Sequence, residues 1–191
     1  MRSVSHEMTA EQLFGYEVPG KRVELVRGQL LVRELAGLRH GSIGVELAYQ
    51  LRRHLDDELK AGIVSARRGA VFGPDTGFVL TRGPDTVRAP DVSFVLAERV
   101  PDPMPVGFGE LAPDLVVEVR SPSDRSGALL AKVGEYLLAG AHLVWVIDPV
   151  RRVVTVYRAD GSVSELGPAD ALSGEVLLPG FSLAVRSVLG E

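Results

Sequence analysis

The chain has 191 residues, of which 46% are apolar and 24% charged, and its formal net charge is -4. This length and composition predict a globular protein with one domain over residues 1–191. No run of eighteen apolar residues and no apolar signal-peptide core is present, so we expect neither a membrane span nor a secretory leader. The chain contains no cysteine, which excludes disulfides and cysteine-based zinc sites and favours a cytoplasmic location. The acidic balance argues against tight non-specific binding of nucleic acid, although it leaves room for a local basic groove.

The first half of the sequence predicts one hairpin, one long helix and three strands. Apolar and polar residues alternate over 21–34 around Arg27 and Gly28, which is a hairpin pattern. Residues 40–60 carry leucine or isoleucine at successive fourth positions, which predicts a helix with an apolar stripe and a wet opposite face. The stripe is Ile43, Leu47, Leu51, Leu55 and Leu59, and the wet face is Arg52, Arg53, Asp56, Asp57 and Glu58. Three strands are then predicted over residues 63–72, 77–81 and 87–97, separated by Gly, Pro and Asp turns.

The stretch from residue 114 to residue 148 predicts a strand, a turn, a helix and a second strand. The first strand is apolar except for Glu118, and residues 142–148 form a second near-continuous apolar run. Such a succession predicts a parallel crossover, with a helix cap within residues 121–123. Because strands outnumber helices, the pattern favours a mixed α/β or α+β domain over a doubly wound sheet.

An acid inside an apolar strand needs an explanation, because an ionised carboxylate buried without a partner is energetically costly. Burial should raise the pKa of Glu118 unless a cation holds it ionised. Arg120, two residues further on, should project from the same face. Asp91 follows Pro90 at the start of another predicted strand, and if the two strands are neighbours, Asp91 and Glu118 can share a hard cation such as Mg²⁺. The alternative is an ordinary structural ion pair.

Three further side chains are weaker candidates on spacing alone. Lys132 lies at the border of the apolar face of the predicted helix, where its ammonium either reaches Glu118 or only covers apolar surface with its stem. His40, at a helix start, is expected to be solvated or to cap the helix, and Glu24 is expected to be a surface acid. The sequence has no P-loop, no G-x-G-x-x-G and no G-x-S-x-G, which disfavours phosphate-loop and serine-hydrolase mechanisms.

The order of these motifs resembles a known family. A Pro-Asp pair followed by an apolar strand with E-x-R resembles the PD-(D/E)xK nuclease superfamily, and the longer segments resemble the Uma family of restriction endonucleases. The segments are MTAEQL, KRVELVRGQL, TGFVL, VRAPDVSFV, PDLVVEVRSPSD, AKVGEYLLAG, LVWVIDP and LSGEVLLPGF, with His40 opening the long helix.

The resemblance implies a restriction-endonuclease-like core, in which a mixed β-sheet is flanked by helices and carries additional β-hairpins. It also implies a Mg²⁺-dependent phosphodiesterase site, with Mn²⁺ as a possible substitute, in which Asp91, Glu118 and the backbone carbonyl of Val119 hold the metal. Arg120 stands at the usual lysine position, and the family pattern points to Lys132 as the functional cation. Gln29 stands where similar proteins often carry an acid, so a third carboxylate such as Glu24 stays open.

The leading hypothesis is therefore a metal-dependent endonuclease that acts on DNA. Asp91 and Glu118 would hold the metal, Lys132 would orient or activate the attacking water, and Arg120, His40 or Glu24 would lie on the substrate side. On this hypothesis, Glu118→Ala or Lys132→Ala abolishes cleavage without lowering stability. Two alternatives stay open: a nuclease fold that binds a partner or nucleic acid without cutting, and a phosphodiesterase for small nucleotides. Cutting two strands favours a homodimer.

Overall fold

The computed structural model describes residues 7–122 and 124–189, and within them twelve strands form three sheets. The strands are β1 (Lys21–Val26), β2 (Gln29–Glu34), β3 (Gly69–Phe72), β4 (Phe78–Thr81), β5 (Thr86–Arg88), β6 (Val92–Leu96), β7 (Leu115–Val119), β8 (Leu143–Asp148), β9 (Val153–Arg158), β10 (Val163–Leu166), β11 (Ala171–Gly174) and β12 (Leu178–Ala184). The α-helices are α1 (Ala10–Phe14), α2 (Leu38–Lys60), α3 (Ser126–Leu138) and α4 (Val185–Val188). Among these described helices, none is long and apolar enough to cross a bilayer.

The largest sheet has six strands in the order β10-β9-β8-β7-β6-β3. β7 and β8 are parallel and are joined through α3, while the other neighbours in this sheet are antiparallel. The predicted crossover and the mixed α/β class are therefore confirmed. A second sheet has the order β2-β1-β5-β4, and the predicted hairpin is its β1–β2 pair. β11 and β12 form a separate two-stranded sheet.

The six-stranded sheet is covered by a helix on each face. On one face, the α2 stripe packs with the odd-numbered residues of β7, which include Val117 and Val119. On the other face, Val133 and Tyr136 of α3 pack with Val116. Each fully buried leucine or valine stabilises the fold by about 1.5–3 kcal/mol. Because side chains alternate along a strand, Glu118 lies on the same face as Val116, beneath α3.

The α2 stripe departs from the predicted one at its C-terminal end. Leu59 is 37% exposed, whereas Glu58, predicted on the wet face, is 5% exposed and pairs with Arg68 at 2.8 Å. A helix turns about 100° per residue, so a strict four-residue repeat drifts by roughly 40° at each step. After four steps the repeat has left the buried face, and Glu58 lies nearer to it than Leu59.

The predicted strand over residues 87–97 is wrong, because it is two strands in different sheets. β5 pairs with β1 and β4, whereas β6 pairs with β3 and β7. Pro90 lies in the link between them, and a proline has no backbone N–H for a ladder. The break places Asp91 at the junction of the two larger sheets, where its N–H donates to the Val117 carbonyl at 3.1 Å.

Two other predicted boundaries also move. The strand predicted over residues 63–72 is confined to β3. The N-cap of α3 is Arg125, which lies beyond the predicted cap at residues 121–123; of these, Ser123 is outside the described residues. The loop before α3 is therefore longer than predicted, and it contains Asp124.

Candidate active site

A cavity of ≈ 450 Å³ opens where the four-stranded sheet, the end of β7, and the first turns of α2 and α3 meet. Its lining is rich in charge. The charged lining residues include Arg22 and Glu24 of β1, Arg33 of β2, His40 of α2, Asp91, Glu118 of β7, Asp124 and Lys132 of α3. The fold thus brings Asp91, Glu118 and Lys132 to one cavity, together with His40 and Glu24.

Lys132 lies between the buried carboxylates of Glu118 and Glu24 and pairs with both. Its Nζ lies 2.7 Å from Glu118 Oε1 and 3.0 Å from Glu24 Oε1, and all three residues are at most 6% exposed. Burial favours the neutral amine, but Glu118 and Glu24 outweigh it and raise the pKa of Lys132. The lysine is therefore a protonated donor at neutral pH, and it reaches Glu118 from the helix above.

Among the three buried carboxylates of this cavity, Glu118 is the one whose ionised form is least stabilised. Burial raises the pKa of Glu118, as expected from the sequence, and the nearby charges of Asp91 and Glu24 raise it further, against the lowering effect of Lys132. Lys132 is shared between Glu118 and Glu24, whereas Glu24 also forms ion pairs with Arg88 and Arg33. Glu118 is therefore the acid of the cluster with the least cationic support.

Tyr136 is a site residue that sequence reasoning missed. Its hydroxyl donates to Glu118 Oε1 at 2.8 Å, and its side chain is fully buried. Burial and the charge of Glu118 raise the pKa of Tyr136 well above its usual value, so the hydroxyl stays protonated. A signal was available, because Lys132 and Tyr136 are four residues apart and share one face of α3. Together they fix the orientation of the Glu118 carboxylate.

Asp91 bridges the cavity and the end of β7. Its Oδ2 accepts the N–H of Val119 at 2.8 Å, while Oδ1 lies 2.9 Å from His40 Nε2 and 3.2 Å from Arg22 Nη1. Burial raises the pKa of Asp91, but His40, the Val119 N–H and Lys132 outweigh it and lower the pKa overall. Asp91 is thus an ionised acid, and His40, predicted to be solvated or a cap, is its neighbour.

The prediction that Glu24 is a surface acid is wrong. Glu24 is 3% exposed and contacts Arg88 Nη1 at 2.9 Å, Arg33 Nε at 3.1 Å and the N–H of Ala89 at 3.0 Å. Burial opposes ionisation, but Lys132, Arg88 and the Ala89 N–H lower the pKa of Glu24 to about 2. Strand alternation could not reveal this, because the polar face of β1 is covered by other segments. Glu24 is the third carboxylate of the cluster.

Arg120 is not part of this cavity. Its guanidinium pairs with Asp148 at 2.8 Å and with Ser126 Oγ at 2.9 Å, and it lines a second cavity of ≈ 240 Å³. The sequence predicts only that Arg120 projects from the same face as Glu118, and in the structure its ion-pair partner is Asp148. Val119 lies opposite Ile147 in the parallel ladder, so Arg120 leaves the strand beside Asp148.

The donor set of the first cavity fits a hard cation. In residues 7–122 and 124–189, no group of three or more His, Asp or Glu side chains is arranged to hold a metal by itself. Mg²⁺ does not need one, because it is usually held by one or two carboxylates with waters and substrate phosphate. Asp91 and Glu118 are two such carboxylates. The N–H of Val119 points to Asp91, and the carbonyl of one strand residue points to the same side as its N–H.

The chain belongs, by its fold, to the class of proteins with a nuclease-like fold. It is similar to the crystal structure of "a putative nuclease belonging to DUF820 from Anabaena variabilis ATCC 29413", with a TM-score of 0.77, 18% identity, and coverage of 95% of this chain and 97% of that chain. The family model "Uma2: Putative restriction endonuclease" matches residues 10–186, and the chain belongs to this family. Among curated proteins, none matches the chain.

Proposed function

We propose that this protein hydrolyses phosphodiester bonds of DNA with Mg²⁺, for which Mn²⁺ can substitute. One observation carries the proposal: a buried lysine and three buried carboxylates converge on one open cavity of a nuclease fold. Burying four charges is costly, and a structural ion pair needs only two of them. Such clusters of perturbed groups in a cleft are typical of functional sites.

In this proposal, Asp91, Glu118 and the Val119 carbonyl hold the metal. A bound Mg²⁺ lowers the pKa of a coordinated water and stabilises negative charge on the phosphoryl group. The pKa of Asp91 is lowered, so this acid is ionised at neutral pH. A bound cation would offset the burial and the repulsion from Asp91 and Glu24 that raise the pKa of Glu118. Tyr136 holds Glu118 in place by its hydrogen bond.

The raised pKa of Lys132 favours one of its two possible roles. A lysine that stays protonated at neutral pH is a poor base, so Lys132 orients the attacking water and neutralises developing negative charge. His40 contacts Asp91 from the first turn of α2 and lines the cavity, and in this proposal it faces the substrate. Arg120 lines a separate cavity and has no role in this step.

Three features of the molecule's organisation belong to the same proposal. The cavity draws residues from both larger sheets and from both long helices, which supports one domain over residues 1–191. A homodimer would provide one site for each strand of a duplex. A chain without cysteine suits the reducing cytoplasm.

Purified protein is expected to nick supercoiled plasmid with Mg²⁺ or Mn²⁺ and to leave it intact with EDTA. Asp91→Asn, which keeps the shape of the side chain, is expected to reduce nicking to background. Gel separation of supercoiled and open-circular plasmid measures both. Absence of nicking by the wild-type protein contradicts the proposal. Turnover of a small phosphodiester in its place would favour the small-nucleotide phosphodiesterase, and DNA binding without any turnover would favour the non-cutting nuclease fold.

A further inference from the structure

Two arginines on the cavity wall stand directly opposite each other. Arg22 of β1 and Arg33 of β2 are partners in the antiparallel register, and both line the cavity. Like charges in this position repel and destabilise a hairpin. Arginine cannot relieve the repulsion by losing its proton. The pairing therefore needs anions on the same side of the hairpin.

Each arginine divides its donors between an inner and an outer carboxylate. Arg22 contacts Asp91 through Nη1 at 3.2 Å and Asp75 through Nε at 2.6 Å. Arg33 contacts Glu24 through Nε at 3.1 Å and Asp124 through Nη1 at 3.1 Å. Asp91 and Glu24 belong to the buried cluster, so they anchor the two guanidinium groups at its edge.

The outer carboxylates differ from the inner ones in exposure. The side chains of the inner acids, Asp91 and Glu24, are 6% and 4% exposed, whereas those of Asp75 and Asp124 are 68% and 19% exposed. The outer acids lie in loops, one before β4 and one before α3, on the solvent side of the arginines. Exposed ion pairs contribute little net free energy, so the Asp75 contact can be exchanged for another anion at small cost. Asp124 is half-buried and also accepts the Ser121 N–H at 2.8 Å, so its exchange costs more.

We propose that Arg22 and Arg33 bind two phosphate groups of a nucleic-acid strand, and that Asp75 and Asp124 occupy their outer donors until the strand displaces them. The guanidinium fork fits phosphate oxygens as it fits carboxylate oxygens, and bidentate contact is available to either anion. The inner contacts hold the fork in place during the exchange. This inference rests on the proposed function, since it places the phosphates of the same substrate beside Asp91 and Glu118.

The arrangement explains how an acidic protein can hold a polyanion. The net charge of -4 includes the carboxylates that neutralise these two arginines when no nucleic acid is bound. Displacing Asp75 and Asp124 uncovers two fixed positive charges next to the cluster. Binding then depends on a local basic surface and not on the overall charge.

The test compares DNA binding by matched variants, measured as fluorescence anisotropy of a labelled duplex over a series of salt concentrations. The measurement is made with EDTA, which prevents cutting, and separately with Ca²⁺. Arg22→Gln and Arg33→Gln are each expected to lower affinity and to reduce the slope of log K against log salt by about 0.9, the value for one phosphate contact on duplex DNA. Asp75→Asn and Asp124→Asn are each expected to raise affinity about two- to five-fold.

Glu165→Gln is the matched control, because it also removes one negative charge from an exposed pair, with Arg151, at the far edge of the six-stranded sheet. It is expected to change affinity by less than about two-fold, the range of a screened distant charge. Asparagine suits position 75 because Asp75 has a positive φ, which asparagine tolerates. The two asparagine variants retain the buried cluster, so they test the inference even if an arginine variant folds poorly.

Two results would overturn the inference, and they are distinguishable. If wild-type protein nicks plasmid while the asparagine variants bind no tighter than the Glu165→Gln control, the proposed function stands and this inference fails. If wild-type protein binds DNA neither with EDTA nor with Ca²⁺ and does not nick plasmid, both fail together.

Discussion

Replacing Lys132 with methionine is expected to lower the free energy of unfolding by about 3–5 kcal/mol, the cost of breaking a buried ion pair by removing one partner. Methionine fills much of the space of the aliphatic part of the lysine side chain. The decrease in unfolding free energy therefore measures the effect of removing the ammonium charge. The substitution leaves Glu118 and Glu24 facing each other without the cation that lies 2.7 Å and 3.0 Å from them. Urea unfolding followed by circular dichroism measures the change, and Lys60→Met, at an exposed position at the end of α2, is the matched control.

The same variant is expected to lose cleavage by about 100-fold or more, the effect of removing one positioned electrostatic donor. Loss of stability and loss of activity can be separated by adding Glu118→Gln to Lys132→Met. The double variant has one buried charge fewer to compensate, so it should regain part of the stability and none of the activity. A Lys132→Met protein as stable as the wild type would contradict the conclusion that Lys132 is the buried ion-pair partner of Glu118 and Glu24.

This expectation replaces the one that the sequence suggested. From the sequence, Glu118→Ala or Lys132→Ala was expected to abolish cleavage without lowering stability. Lys132 and Glu118 are 3% and 6% exposed and are paired, so removing either partner leaves an uncompensated buried charge. The cluster therefore stabilises the fold in addition to its proposed role in cleavage.

Lowering the pH is expected to destabilise the fold, because Glu24 becomes protonated. The pKa of Glu24 is lowered from 4.5 to about 2 by Lys132, Arg88 and the Ala89 N–H, against the opposing effect of burial. A lowered pKa in the folded state means that the stabilisation is complete above pH 4.5 and is lost as the pH falls towards 2. Its size is about 3 kcal/mol, from roughly 1.4 kcal/mol for each pKa unit.

The variant Glu24→Gln isolates this contribution. At pH 7 it should be less stable than the wild type by about 3 kcal/mol, and the difference should shrink as the pH falls from 4.5 towards 2. Glu118 acts in the opposite sense, because its raised pKa favours the folded state at low pH, but it is present in both proteins. Chemical unfolding at a series of pH values measures the difference. Glu34→Gln, at an exposed acid of the next strand, is the control, and a pH-independent difference would contradict the account.

The sequence predicted those parts of the fold that local pattern determines. Alternation identified the β1–β2 hairpin, and the apolar runs on either side of α3 identified the parallel crossover. Glu118 was a candidate because it interrupts an apolar strand, and Asp91 and Lys132 were candidates because of their positions at a strand start and on a helix face. The family resemblance then favoured Lys132 as the functional cation. These inferences need only the direction of a side chain along its own element.

Contacts between elements could not be predicted in the same way. Glu24 and Arg88 meet because β1 and β5 are neighbours in a sheet that the sequence did not reveal, since Pro90 divides what looked like one strand. The spacing of two residues predicts that Arg120 shares a face with Glu118, but β7 ends at Val119, and Arg120 pairs with Asp148 at the end of the neighbouring parallel strand. The spacing of Tyr136 and Lys132 indicates that they share a helix face, but only the packed structure shows that the Tyr136 hydroxyl donates to Glu118.

Asp91 and Glu118 are proposed to bind a divalent cation together, and calorimetric titration of the protein with Mg²⁺ at pH 7 measures that binding. The wild-type protein is expected to bind Mg²⁺ at one site per chain, and Asp91→Asn is expected to lose that binding. Asp57→Asn, at an exposed acid on α2, is expected to bind as the wild type does. Binding that is absent from the wild type, or unchanged in Asp91→Asn, would contradict the account.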